Sequence, residues 1–215
     1  MNSILIKKFK NKNEAIKKAV NLLKTKLKKG DIILTSPKFS NIRLKLMNLT
    51  SYIISKFSRG ITHSCIYLGK NQVLDINFRF KGRDIQILTL KQLLKRKIIS
   101  FKELKVYVVQ PKKYKNYHRD IVLQESKNTF LRKSKNIIFS TASIFNIMFI
   151  LLFNKSLFYK KEKAGYKNKW HCSNLVAYIL KKSGVPIWKS ATSTFIPSTF
   201  IFSRYFKIKK KIILK

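Results

Sequence analysis

The spacing of hydrophobic positions near the start of the chain predicts one helix followed by a strand. In residues 13–29, apolar side chains recur at helical spacing among lysines, and Gly30 follows as a stop. This pattern predicts a basic amphipathic helix, which either lies on the core or docks on a membrane surface. The next stretch, "GDIILTS", is typical of a short buried strand that begins at Asp31.

The middle of the chain predicts a helix and then four strands. Residues 41–58 have a mixed helical pattern that Gly60 ends. Two strands follow at 62–68 and 72–76, joined by the turn "GKNQ". The stretches "RDIQILTL" and "LKVYVVQ" predict two more strands, with a helix over "KQLLKRK" between them. Strands in succession, bounded by helices, indicate an α+β fold.

The second half of the chain contains an apolar segment and a well-marked helix. Residues 137–153 are seventeen consecutive uncharged residues, close to the short limit for a spanning helix, which needs about 20. After a lysine-rich loop, "WHCSNLVAYILKKSG" predicts a helix that starts near Cys172 and ends before Gly184. The tail alternates aromatic and basic residues.

Composition adds a strong positive charge to this pattern. The 215 residues are 45% hydrophobic, which predicts one folded domain, and 48 Lys and Arg face only 8 Asp and Glu, a formal net charge of +40. Positive charges in this number repel each other, which indicates that the protein binds an anionic partner. A membrane surface is the favoured partner, and nucleic acid is the less favoured alternative. The first residues lack a signal-peptide pattern, so the expected location is the cytoplasm or a viral particle, peripheral to a membrane.

The two cysteines differ in their predicted surroundings. Cys172 lies at a helix start, where free N–H groups and the helix dipole stabilise a thiolate, although composition alone favours an inert buried cysteine. A nucleophilic thiol needs a base and a third group that orients it, and His63 and Asp75 lie on the two strands of the predicted hairpin. Strand alternation places His63, Cys65 and Tyr67 on one face.

The ordered set of three stretches resembles a known family. "GDIILTS", "THSCIYLGKNQVLDIN" and "WHCSNLVAYILKKSGVPI" together are similar to the circularly permuted papain-like cysteine hydrolases of the NlpC superfamily, especially the YiiX/YaeF-like branch. The residues that match are Gly30 and Asp31 as the opening pair, His63 as the base, Gly69 in the hairpin, Asp75 as the third polar residue and Cys172 as the nucleophile, with Ser173, Leu175 and Val176 in register. Asn174 stands where the family often has Glu, outside the triad. The closing "STFIPSTFIFSRYFK" also resembles that branch.

The resemblance implies a fold and an activity. The implied fold is a permuted papain-like α+β domain, an antiparallel sheet packed against helices, over residues 30–215, with an apolar and basic insertion at about 130–168 and the basic helix of residues 1–29 before it. The implied activity is that of a cysteine hydrolase or acyl transferase, which cleaves an amide, thioester or ester bond through an acyl-enzyme intermediate and needs no cofactor. The implied substrate is an acyl-bearing peptide, peptidoglycan or lipid.

Other interpretations of the scarce residues remain open. One alternative is a metal site, because four side chains are of metal-ligating types: His63, Cys65, His171 and Cys172. Their spacing lacks the Cys-x-x-Cys or Cys-x-x-x-x-Cys pairs of structural zinc sites. A disulfide between the two cysteines would silence the thiol. The chain is alternatively a lysine-rich membrane- or nucleic-acid-binding protein on an inactive papain-like scaffold.

Three further expectations concern single segments. His171 is a weaker candidate that shapes the thiol environment or is only the residue before the helix, and His118 is expected in a lysine-rich surface loop. A single membrane crossing by residues 137–153 would put His63 and Cys172 on opposite sides. That segment is therefore expected to be a core or pocket-lining helix, or an interfacial insert between basic flanks.

Overall fold

The chain folds into a mixed sheet with helices on both faces. A computed structural model describes residues 3–6, 12–38, 55, 58–76, 85–98, 103–133, 138–139, 169–187 and 196–214. The strands are β1 (Ser3–Ile6), β2 (Ile32–Lys38), β3 (His63–Gly69), β4 (Gln72–Ile76), β5 (Ile85–Thr89), β6 (Glu103–Pro111), β7 (Ile138–Phe139), β8 (Lys169–Trp170) and β9 (Phe206–Leu214). The helices are α1 (Lys12–Lys24), α2 (Leu90–Ile98), α3 (Asn116–Lys133), α4 (Cys172–Lys182) and α5 (Thr199–Phe202).

Seven of the described strands form one sheet, in the order β1-β9-β6-β2-β3-β4-β5. Neighbouring strands are antiparallel from β9 to β5, and β1 joins the edge by parallel pairing with β9. The short strands β7 and β8 pair with each other separately. Helices and a largely antiparallel sheet make this an α+β protein, as the sequence pattern predicts.

Alternating side chains divide the core between the two faces of the sheet. On one face, Ile66 and Leu68 of β3 pack with α4 residues in a cluster that includes Cys172. On the other face, Cys65 and Tyr67 pack in a cluster with residues of α1 and α2. All of β3 is buried, because both faces of the sheet are covered. The alternation predicted for these β3 residues is thereby confirmed.

The predicted hairpin is present, with a two-residue turn. Lys70 and Asn71 connect β3 to β4, and both have positive φ angles, of 47° and 65°. Two successive positive φ values are typical of the turns whose twist matches that of antiparallel strands, and Asn tolerates this conformation better than most residues. The turn fixes the register in which β3 faces β4, and therefore which side chains meet across the hairpin.

The first helix is shorter than its pattern predicts. It ends at Lys24 rather than at residue 29, and the chain then turns through Gly30, whose φ of 79° lies in the left-handed region. The hydroxyl of Tyr114 donates to the carbonyl oxygen of Gly30 at 3.1 Å, and a Cβ at Gly30 would lie 2.1 Å from that hydroxyl. Gly30 is therefore required by a close tertiary contact and not as a helix stop.

A buried ionic cluster fastens the start of β2 to two later elements. Asp31 is fully buried, and its carboxylate accepts hydrogen bonds from Arg119 of α3 at 2.9 Å and from Lys209 of β9 at 2.6 Å. The backbone N–H of Lys28 donates to the same carboxylate at 2.9 Å. Asp31 thus has a structural role in a chain that contains few acids.

Six of the described elements were not predicted from the sequence, and the expectation for His118 is wrong. The unpredicted elements are β1, α3, β7, β8, α5 and β9. His118 does not lie in a surface loop: it belongs to α3 and is buried, and its Nδ1 accepts a hydrogen bond from the backbone N–H of Lys115 at 3.1 Å. Its ring packs between Tyr114 and Tyr117, which explains why a histidine is accommodated there.

Two predicted segments lie wholly or mostly outside the described residues. The predicted helix at 41–58 is described only at positions 55 and 58, and the apolar segment at 137–153 only at 138–139. In the ranges that the structure does describe, no helix has both the length and the apolar character needed to cross a membrane.

Candidate active site

The thiol of Cys172 lies at the first residue of α4. The helix is held in place by one apolar face, on which Leu175, Val176 and Ile179 are buried in the core. Cys172 itself is buried, and His171 before it has an extended backbone and makes no side-chain capping hydrogen bond. The first N–H groups of a helix have no partner within the helix, so this position favours negative charge on sulfur.

His63 and Asp75 meet across the hairpin as a buried pair. The Nε2 atom of His63 lies 2.5 Å from Oδ1 of Asp75, and the two residues are 5% and 2% exposed. His63 opens β3, and Asp75 lies one residue before the end of β4. Because Nε2 is engaged by the carboxylate, Nδ1 is the ring nitrogen that remains for a proton exchanged with a thiol.

The pKa values of this pair favour a protonated imidazole. Burial by itself lowers the pKa of His63. The charge of Asp75, the charge of Cys172 and the hydrogen bond to Asp75 together raise that pKa from 6.5 to about 9, against an opposing effect of Lys97. Burial by itself raises the pKa of Asp75, but the charge and hydrogen bond of His63 lower it below its usual value. The pair is therefore an imidazolium and a carboxylate at neutral pH.

The thiol of Cys172 is displaced toward its anionic form. Burial alone raises its pKa, yet the charge of His63 and hydrogen bonds from His171 and His63 outweigh burial and hold the pKa well below its ordinary value. A thiolate next to an imidazolium, with a carboxylate behind it, is the arrangement that activates a cysteine nucleophile. The arrangement is suited to attack on an acyl carbon.

Cys65 has the opposite properties. Burial raises its pKa well above the ordinary value, and the negative charges of Asp75 and Cys172 add to that effect. Its sulfur lies 3.8 Å from the carbonyl oxygen of Ile33, to which the thiol donates within the sheet. Both cysteines are free, so the alternative of a disulfide between them is wrong. Cys65 is a core residue that happens to lie close to the base.

Two serines connect the hairpin to the helix: Ser173 was noted only as part of the family resemblance, and Ser64 was not singled out from the sequence. Ser64 of β3 donates to Ser173 of α4 over 3.4 Å, and the hydroxyl of Ser173 lies 3.9 Å from the sulfur of Cys172. Both serines are buried. Ser64 follows His63 and Ser173 follows Cys172, so this contact relates the hairpin to the start of α4. The sequence signal for Ser64 was only its adjacency to His63.

The structure brings together the three residues expected from the sequence, with His171, the weaker candidate, and one residue that was not predicted, Lys97. Cys172, His63 and Asp75 interact in one buried cluster, although the thiol lies more than a hundred positions after the base. His171 acts on the thiol, and Lys97 of α2 acts electrostatically on His63 and Asp75. A long-range charge such as that of Lys97 has no local sequence signal, because it depends on how α2 packs.

Comparisons with known proteins leave the family open. No protein-family model matches the sequence, and no curated protein matches it. Across the residues that the structure describes, no cluster of three or more His, Cys, Asp or Glu side chains is arranged to hold a metal ion.

Proposed function

We propose that the protein is a cysteine hydrolase or acyl transferase with Cys172 as nucleophile, His63 as base and Asp75 as the group that orients the base. One observation carries this proposal: a buried thiol with a lowered pKa lies beside a histidine whose other nitrogen is 2.5 Å from a buried carboxylate. A cysteine placed only for packing has a raised pKa, as Cys65 does in the same protein.

The proposed reaction has two stages. In the first, the thiolate of Cys172 attacks the acyl carbon, an S–C bond forms, and the carbonyl oxygen becomes an oxyanion that the backbone N–H of Cys172 stabilises. His63 then gives its proton to the leaving amine, alcohol or thiol as that bond breaks. In the second stage, His63 takes a proton from water or another acceptor, which attacks the thioester and releases the acyl group and the thiol.

The proposed fold is the permuted papain-like fold that the sequence resembles. Two features support this assignment: the base and carboxylate lie on a hairpin of an antiparallel sheet, and the nucleophile begins a helix that packs on that sheet. The order along the chain, base before nucleophile, is the permuted one. The assignment implies an acyl-bearing peptide, peptidoglycan or lipid as substrate, with no cofactor.

The proposed partner of the surface is an anionic membrane. The formal net charge of +40 makes self-repulsion large, and an anionic lipid surface relieves it. This proposal concerns location at a membrane surface and is independent of the chemistry at Cys172.

Selective alkylation is the direct test of the proposed activity. Iodoacetamide should modify Cys172 faster than an ordinary thiol at pH 6, and His63→Ala should remove that advantage. Equal and slow reaction of the wild type and the His63→Ala variant would contradict the proposed function.

A further inference from the structure

The buried polar atoms that lack partners are gathered around the proposed site. Within the described part of the chain, three buried side-chain atoms have no hydrogen-bond partner: Oγ1 of Thr35, Nε2 of His171 and Oδ1 of Asn174. His171 and Asn174 flank Cys172 in sequence, and Thr35 is directly opposite His63 in the β2–β3 register. Buried polar atoms are almost always paired in folded proteins, so their collection at one place requires an explanation.

His171 is the strongest of the three because its surroundings exclude the usual structural roles. It occupies the position before α4, where a side chain commonly caps the helix, yet it forms no such bond. Its backbone is extended, with φ −114° and ψ 173°, so its side chain does not follow the helical path of Cys172. The residue is only 3% exposed, so bulk water does not solvate Nε2.

The ring of His171 is nevertheless close to the reacting sulfur. His171 directly precedes Cys172, and its charge and hydrogen-bonding capacity contribute to lowering the pKa of that thiol. The residue before the candidate nucleophile thus keeps a buried nitrogen whose hydrogen-bonding capacity the described part of the chain does not use. Asn174, whose Oδ1 is also unpaired, lies two residues after Cys172 in the first turn of α4.

We propose that His171 is a substrate-positioning residue, whose buried Nε2 forms a hydrogen bond with a polar group of the substrate beside the carbonyl that Cys172 attacks. The inference rests on the proposed function and deepens it. Imidazole nitrogen either donates or accepts according to its tautomer, so an amide or a hydroxyl next to the carbonyl satisfies it. A plain hydrocarbon acyl chain forms no hydrogen bond with Nε2, so it binds less favourably than a substrate that does.

Two matched chloromethyl ketones test this inference without a known substrate. One is acetyl-Ala-Ala-chloromethyl ketone, and the other is an alkyl chloromethyl ketone of equal chain length without amide groups. With both, the thiolate forms an S–C bond and chloride leaves, so the chemistry is identical and only the neighbouring groups differ. Second-order rates are measured with the Cys65→Ala protein, in which Cys172 is the only cysteine, and with His171→Phe and His171→Gln in that background.

The expected result is a change in the ratio of the second-order rates with the peptidyl and the alkyl chloromethyl ketone. The His171-containing protein should prefer the peptidyl reagent by about tenfold or more, since one hydrogen bond to a buried group is enough for such a ratio. His171→Phe should lose that preference, and His171→Gln, which retains hydrogen-bonding atoms, should recover part of it. Thermal unfolding of each variant shows whether it is folded. If His171→Phe does not fold, the comparison of His171→Gln with His171→Leu replaces it.

The failure of this inference is distinguishable from failure of the proposed function. If both reagents slow by the same factor in His171→Phe, then His171 acts only on the thiol or the fold, and the positioning role is wrong. If the His171-containing protein reacts with both reagents no faster than a free thiol, the activated cysteine itself is wrong, and both proposals fall.

Discussion

Cys65 and Cys172 are both buried, yet the pKa of the first thiol is raised and that of the second is lowered. Burial acts in the same direction on both, so the difference comes from their neighbours. Cys172 meets the positive charge of His63, whereas Cys65 meets the negative charge of Asp75. Cys65 is therefore an internal reference for the proposed nucleophile Cys172: a buried thiol in the same protein with the opposite pKa shift.

Alkylation at neutral pH should be confined to Cys172. In the wild type, one equivalent of iodoacetamide should modify Cys172 and leave Cys65 unmodified, because only Cys172 has a substantial thiolate fraction. Peptide mapping by mass spectrometry measures both sites in one sample. Cys65→Ala should keep the fast reaction, and Cys172→Ala should abolish it. Fast labelling that persists in Cys172→Ala would show that the reactive thiol is elsewhere.

The carboxylate of Asp75 should set the alkaline limit of the reaction. Asp75→Asn removes the charge that holds the pKa of His63 near 9, so that pKa falls and the imidazolium is lost at lower pH. Loss of the imidazolium raises the pKa of Cys172, and the alkylation rate at pH 7 should drop by about tenfold for each unit of that rise above pH 7.

The matched control for Asp75→Asn is a histidine outside the site. His118→Gln alters another buried histidine, on α3, and should leave the pH profile of alkylation unchanged. An unchanged profile in Asp75→Asn as well would mean that Asp75 does not tune the base.

The unfolding free energy should depend on pH through two opposing contributions, one from His63 and one from the thiol of Cys172. With its neighbours in place, His63 contributes stability that is fully present below its unfolded pKa of 6.5 and is lost as pH rises through its folded pKa of about 9. Cys172, with a lowered folded pKa, contributes stability that is present above its unfolded pKa and is lost as pH falls through the folded one. Between pH 6.5 and 9 the folded protein has an extra proton on His63 and one proton fewer on Cys172 than the unfolded chain, so their effects on the pH dependence of the unfolding free energy offset each other.

Cys172→Ala removes the contribution of the Cys172 thiolate to the pH dependence of stability and leaves that of His63. The variant should lose unfolding free energy between pH 6.5 and 8.5, whereas the wild type should change little. The loss should be less than about 2 kcal/mol, because removal of the Cys172 charge also lowers the pKa of His63. Urea unfolding at a series of pH values measures this difference. Parallel pH curves for the two proteins would contradict the thiolate–imidazolium pair.

Asp31 should be more important for stability than any exposed acid. Asp31→Asn leaves the cations of Arg119 and Lys209 without their carboxylate, and breaking a buried ion pair typically costs about 3–5 kcal/mol. Partial exposure of the two cations places the expected loss near the lower end of that range. Urea unfolding measures it. Asp120→Asn, an exposed acid on α3, is the control and should change the unfolding free energy by less than about 0.5 kcal/mol.

The positive surface should bind anionic lipid in a salt-dependent way. Flotation with phosphatidylserine vesicles should recover the protein at low salt and lose most of it near 1 M salt, where charges are screened within about 3 Å. Neutral phosphatidylcholine vesicles are the control. Equal recovery on both vesicle types, or none on either, would contradict a charge-driven membrane partner.

Local patterns were sufficient to predict part of the fold. The β3–β4 hairpin was predictable because two apolar runs flank a short turn that contains Asn71, and α4 was predictable from its apolar spacing and Gly184. By contrast, α3 has apolar side chains on several sides, so no single face marks it as a helix. The lysines of β9 interrupt its apolar alternation, and its burial depends on neighbours far away in sequence.

The site was predictable where it depended on scarce residue types. His63, Asp75 and Cys172 were identified by their rarity, their predicted elements and the family resemblance. The unpaired Nε2 of His171 and the charge of Lys97 were not predictable, since both depend on what the folded chain places around them.

The strand order has a consequence for synthesis of the protein. In the described sheet, β9 lies between β1 and β6, although it is the last of these strands in sequence. On the ribosome, the edge of β6 must therefore wait, unpaired, until β9 has emerged, and β1 has no sheet neighbour before then. An unpaired edge invites contact with other chains. Nascent chains that stall before residue 206 are accordingly the ones expected to aggregate or to require a chaperone.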